Sequence, residues 1–115
     1  MGASPRPWRP SHGVMRYLLD AGYRCIPVRP DGVEVLGVPT VRSLEEIDEP
    51  IDLVDVFRRA KFCPDVARAA VAAAAKALWL QSGIRSNEAR AIAEAAGLDY
   101  VEDECTKVVH SVFLA

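Results

Sequence analysis

Two histidines, three cysteines and an aromatic content of 7% are what the 115-residue chain has least of, and each scarcity excludes something. Cys25, Cys63 and Cys105 are widely spaced, odd in number and in no CxxC pair. That excludes a disulfide framework and a zinc site, and it fits reduced thiols in the cytoplasm. His12 and His110 stand alone, without a GxSxG, HExxH or Cys–His signature, so no catalytic set can be assembled from them and no metal site is expected. No apolar run approaches the ~20 residues of a membrane span. Arg6 and Arg9 have no apolar stretch beside them, so the amino terminus does not read as a secretory signal. A formal net charge of −2 gives nucleic acid and anionic membranes no reason to be the main partner.

What is present is an alternation of strand and helix along one domain, residues 1–115. Val14, Tyr17, Leu18 and Ala21 recur at helical spacing between Pro10 and Gly22. Tyr23 to Val28 is a short β-prone run, halted by Arg29-Pro30-Asp31-Gly32. A second such run, Leu53 to Phe57, follows an acidic connector, and Pro64 opens an alanine-rich helix expected to reach about Lys76. Its alanines suit a thin face pressed against a sheet. Ala77 to Leu80 is the third strand; Ser86 starts a further helix and Gly97 stops it. The last strand is Asp99 to Glu102, followed by a tail from Cys105 to Ala115. Short apolar strands alternating with helices predict an α/β, three-layer, Rossmann-like fold with a doubly wound parallel sheet. The first central strand is missing from this pattern, since only Met1 precedes Gly2-Ala3-Ser4. The expected slot lies between the strands at Tyr23 and Ala77. Either the true start lies upstream, which is the favoured reading, or the apolar tail fills the slot.

In such a sheet, ligands bind beyond the carboxyl ends of the strands. Gly2-Ala3-Ser4 leads through Arg9 and Ser11 into a helix amino terminus, where small residues and unpaired N–H groups suit a phosphate. No GxGxxG is present. The strand at Tyr23 ends in Val28-Arg29-Pro30, with arginine where a NAD site would usually carry an acid for the ribose diol. That favours coenzyme A or NADP over NAD. Phe57, Arg58 and Arg59 end the next strand at the same edge. Cys63, between that arginine pair and a helix amino terminus, is expected to react faster than Cys25.

Gly2-Ala3-Ser4, Arg9-Pro10-Ser11-His12, Tyr23-Arg24 through Pro27-Val28-Arg29-Pro30, Glu34-Val35-Leu36-Gly37, Val54 through Arg59, Trp79-Leu80-Gln81-Ser82-Gly83 and Cys105-Thr106-Lys107 occur in order. Together they resemble the small bacterial and archaeal CoA-binding proteins, stand-alone relatives of the CoA-binding domain of succinyl-CoA synthetase. The resemblance implies a Rossmann-like fold holding coenzyme A or an acyl-CoA, without catalysis of its own. It sets Gly2, Ala3 and Ser4 against the pyrophosphate with Arg9 and Ser11 in support. Val28, Arg29 and Pro30 would border the adenosine, and Phe57, Arg58 and Arg59 would lie near the pantetheine or phosphates. Two departures stand out: the family commonly has Asn where Arg29 stands, and it has an apolar strand before the Gly-x-Ser turn. The competing readings are an NADP-binding oxidoreductase fragment and a CoA-responsive module, with a homodimer or a protein partner as its output.

Overall fold

The computed structural model describes residues 1–113. Helix α1 spans Pro10–Asp20, strand β1 Leu53–Val56, helix α2 Cys63–Ala72, strand β2 Ala77–Leu80, helix α3 Asn87–Ala95, strand β3 Asp99–Val101 and helix α4 Thr106–Phe113. The strands form a parallel sheet in the order β1-β2-β3, with Val54 opposite Leu78 and Leu78 opposite Tyr100. Helices flank this sheet, as the alternating pattern predicts.

The two faces of the sheet differ in chemistry. Val54, Val56, Leu78 and Leu80 share one core with Val66, Ala67 and Ala70 of α2 and Ala89 and Ala93 of α3. Ala67, Ala70, Ala89 and Ala93 are wholly buried, so the alanines do form a thin layer that brings both helices close to the strands. Asp55 and Trp79, at the alternate positions, belong to the other face. The Asp55 carboxylate accepts a hydrogen bond from Thr106 at the start of α4, and Trp79 Nε1 donates to the Glu104 carbonyl.

Some elements differ from the sequence expectation. α2 ends at Ala72 rather than near Lys76, because Ala74 adopts φ +56° and turns the chain into β2. The buried stripe of α1 is Ser11, Val14 and Met15, whereas Ala21 is exposed. The tail becomes α4, which packs against α1, with His110 Nδ1 2.9 Å from the Tyr17 hydroxyl. Tyr23 to Val28 does not form a strand and makes a single bridge, Val28 to Val41, parallel in sense. Pro27 lacks an N–H, and along the opposite edge only Val28 finds a partner among the described residues, its carbonyl accepting from Gly2.

Met1 and Gly2 join that segment to the sheet. The Met1 nitrogen donates to the Asp55 carbonyl at 3.0 Å and the Met1 carbonyl accepts from Phe57 at 3.0 Å, while Gly2 donates to the Val28 carbonyl at 3.3 Å. The order across the molecule is therefore Val41, Val28, Met1–Gly2, β1, β2, β3. The central position expected between the strands at Tyr23 and Ala77 is bordered by β1 instead, with β2 one place further out. Behind Met1 the two edges frame a cavity of about 490 Å³ lined by Cys25, Ile26, Leu53 and Asp55 among others.

Cys63 overturns its expected reactivity. Its side chain is wholly buried at the start of α2, with the thiol donating to the carbonyls of Arg58 and Arg59 at 3.8 and 3.6 Å. Burial pushes the thiol up, and Arg58 opposes this only as the smaller influence. Cys25 and Cys105 are both partly exposed. Thiol labelling of the native protein should therefore mark Cys25 and Cys105 before Cys63, read by peptide mass after timed quenching; prior labelling of Cys63 would contradict its burial.

Candidate functional site

Five chain segments end at the carboxyl edge of the sheet: Met1–Gly2, Val28, β1, β2 and β3. Behind each comes a loop, and together these loops wall a cleft of about 540 Å³. Its floor is the turn Gly2-Ala3-Ser4. Gly2 adopts φ +76°, and a Cβ there would stand 2.7 Å from the Phe57 carbonyl oxygen. Only glycine meets both demands, the left-handed backbone and the close approach to the end of β1. The Ser4 hydroxyl accepts from the Arg6 N–H at 3.2 Å and shapes the next turn. Pro10 then opens α1, with Arg9 at the N-cap making no side-chain cap and no acid in the first turn. The helix thus presents its positive end to the cleft unneutralised.

Gly2, Ser4, Arg9, Ser11, Arg29 and Phe57 all line this cleft, so six of the residues singled out from the sequence converge. Ala3 and Val28 are buried and line the cavity behind Met1 instead, and Pro30, although exposed, is not in the wall. Neither Arg58 nor Arg59 lines the cleft: the Arg58 guanidinium stacks 4.4 Å over the Phe62 ring, and Arg59 precedes the turn at Ala60–Phe62. Arg6, Gln81, Ser82, Ile84 and Cys105 also line the wall, with Pro10 and Val14 of α1. Gln81 and Ser82 belong to the Trp79–Gly83 motif of the sequence, where no role was assigned to them. Arg6 lies in the Gly2 to Ser11 loop expected at this edge, although only Arg9 was singled out there as a phosphate contact.

The electrostatics of the cleft are one-sided. Arg6, Arg9 and Arg29 contribute to its wall and no Asp or Glu does, among the described residues. Neither Arg6 nor Arg9 is engaged in an ion pair among the described residues, and both are exposed. Such an arrangement suits an anionic ligand with more than one charged group. Among the described residues no cluster of three or more His, Cys, Asp or Glu side chains could hold a metal.

Beneath the cleft lies a polar network. Gln81 Nε2 donates to the Asp55 carboxylate and, at 3.0 Å, to the Thr106 hydroxyl, while the Thr106 N–H donates to Gln81 Oε1 at 3.3 Å. Gln81 and Thr106 are buried, and this exchange satisfies both. Burial pushes the Asp55 carboxyl above its ordinary value, although the bonds from Thr106 and Gln81 pull the other way.

A family model described as a CoA binding domain matches residues 1–111. The protein YneT of Bacillus subtilis strain 168 is 45% identical over 112 residues, which cover 97% of this chain and 83% of that one. A solved structure from Thermus thermophilus superposes with a TM-score of 0.92 at 40% identity, covering 97% of this chain and 85% of the other. One from Pyrococcus horikoshii OT3 gives 0.95 at 37% identity, covering 99% and 80%.

Two outcomes follow from the geometry. Gly2→Ala should cost about 1–3 kcal/mol from backbone strain alone, lowering the denaturation midpoint. Gly13→Ala, on α1 with nothing within 4 Å of the added carbon, should leave it unchanged or raise it. Because folding raises the Asp55 value, the protonated acid is the form the fold favours. Its stabilising effect is complete below the ordinary carboxylate range and is lost as pH rises through the raised value. The melting temperature of Asp55→Asn relative to wild type should therefore climb across that window; a difference that does not change with pH would refute the shift.

Proposed function

The chain belongs to the CoA binding domain family, and from that premise we propose that it binds coenzyme A or an acyl-CoA in the carboxyl-edge cleft. The observation that carries this reading is a cleft with arginine at three places in its wall, no carboxylate among the described residues, and a Gly2 turn leading to a helix start without a side-chain cap. Phosphate groups find backbone N–H groups and the positive helix end there. Gly2, Ala3 and Ser4 form the turn the pyrophosphate approaches, with Arg9 and Ser11 beside it and Arg6 added from the structure. Val28, Arg29 and Pro30 border the adenosine side. Phe57, with Ile84, offers the apolar wall along which a pantetheine chain can lie, and Arg58 and Arg59 sit behind Phe57 as a second source of positive field. The ligand is a small molecule, and binding rather than turnover is the role assigned to the cleft in a cytoplasmic protein.

Calorimetry and thermal melting with CoA, acetyl-CoA, NADP and NAD on one sample test the reading. CoA should bind and raise the melting temperature, because a ligand of the folded state stabilises it by mass action, while NADP and NAD should do neither. Arg6→Ala and Arg9→Ala should each weaken CoA roughly ten- to a hundredfold, the worth of one charge-assisted contact. Acetyl-CoA, whose thiol is blocked and cannot consume the reagent, should also slow the labelling of Cys105, which lines the cleft, while leaving Cys25 unaffected. Stabilisation by NADP with no response to CoA would overturn the assignment.

A further inference from the structure

Arg29 stands in the wall of the cleft, yet most of its hydrogen-bonding capacity points elsewhere. Its Nη1 donates to the Ala3 carbonyl at 2.6 Å. Nε and Nη2 grip the two carboxylate oxygens of Asp31 at 2.9 and 2.7 Å. Asp31 Oδ1 in turn accepts from the Val33 N–H at 3.0 Å, and the Arg29 N–H donates to the Val41 carbonyl at 3.0 Å. The side chain of Arg29 is only 24% exposed against 48% for Asp31, so the bidentate pair is partly withdrawn from solvent. Ala3 is buried and belongs to the turn that forms the cleft floor.

We propose that Arg29 is a positioning residue rather than a reader of the ligand's ribose phosphate: with Asp31 it straps the Gly2-Ala3-Ser4 turn to the loop that follows Val28. The inference rests on the CoA reading of the cleft and deepens it. A guanidinium fork is the group suited to this task, since one planar side chain serves a carboxylate edge-on and still reaches a carbonyl. The carboxylate also offsets the charge of Arg29 locally, so the adenosine-side loop contributes little net attraction for a further phosphate. The hydrogen bond from Arg29 holds the Asp31 carboxyl well below the usual carboxylate range, which keeps it ionised at physiological pH.

Asp31 does not line the cleft, which makes it the discriminating position. Asp31→Asn keeps an acceptor for Val33 but breaks the ion pair, and Arg29→Ala removes the strap itself. Affinities for CoA and dephospho-CoA are measured for wild type and both variants, together with hydrogen exchange of the amino-terminal peptide without ligand. Each variant should speed exchange at residues 3–6 and weaken both ligands by a similar factor, several-fold or more, leaving the ratio of CoA to dephospho-CoA affinity as in wild type. Arg29→Lys, which keeps the charge but not the fork, should behave like Arg29→Ala. A loss confined to CoA in Arg29→Ala would make Arg29 the reader of the ribose phosphate and overturn the proposal. Tighter CoA binding by Asp31→Asn, or unchanged exchange in both variants, would overturn it as well. A wild type that binds neither ligand would sink the CoA reading, and the exchange rates would still decide the strap.

Discussion

The contact on which everything else depends is the crossing of Met1–Gly2 between Val28 and the end of β1. Met1 bonds the β1 side and Gly2 the Val28 side, and among the described residues no other backbone bond joins the Val28–Val41 bridge to the sheet along that line. Gly2 makes the crossing possible because a methyl group would collide with the Phe57 carbonyl. The same residue sets the floor of the cleft. Sheet continuity and site geometry are therefore one constraint, and a change that opens the crossing must disturb both.

From that line outward the sheet divides by face. The aliphatic positions of β1 and β2 are covered by alanine-faced α2 and α3, and this half needs nothing but burial to hold it together. The opposite face carries Asp55, and it is held by specific polar contacts: Asp55 to Gln81 and Thr106, Trp79 to the Glu104 carbonyl. Directional bonds fix α4 in register against the end of β2, where burial alone would allow it to slide. Gln81 lines the cleft on one side while bonding Asp55 on the other, so the wall of the site is braced by the network beneath it.

The elements legible in the sequence were those whose cause is local. Ser86 caps α3 with its hydroxyl on the Ala89 N–H at 3.1 Å, and Gly97 adopts φ +80° just beyond the helix, as the spacing of those two residues implied. What was not legible depended on partners distant in sequence. The run from Tyr23 to Val28 has β-prone residues, but strand pairing needs a neighbour, and only Val28 has one. α2 was expected to run through Ala74 because alanine favours helix, yet the register of β2 against β1 demands a turn there, and Ala74 accepts a left-handed backbone to provide it. Cys63 looked activated by adjacent arginines; burial at the base of α2, invisible in a linear string, decides otherwise. For the site, Gly2, Ser4, Arg9 and Ser11 were legible because they are consecutive in one loop. Gln81 and Cys105, legible only as parts of motifs, reach the same wall from the loops after β2 and β3, and their meeting depends on the sheet order.

Charge placement then gives the cleft a direction. Arg6 and Arg9 carry no counter-charge among the described residues, whereas Arg29 is matched by Asp31. The positive field is thus concentrated on the α1 side of the cleft, over the Gly2 turn and the helix start, and is weakest on the side of Pro30. An elongated anion entering such a field settles with its densest charge against the turn. On the proposed CoA reading, its adenosine end would extend towards the Val28–Pro30 loop and its pantetheine along Phe57 and Ile84. On that reading the strap and the field are complementary: Arg29 spends its bonds on holding the turn in place, and the exposed side chains of Arg6 and Arg9 would meet the phosphates of a ligand lying against that turn.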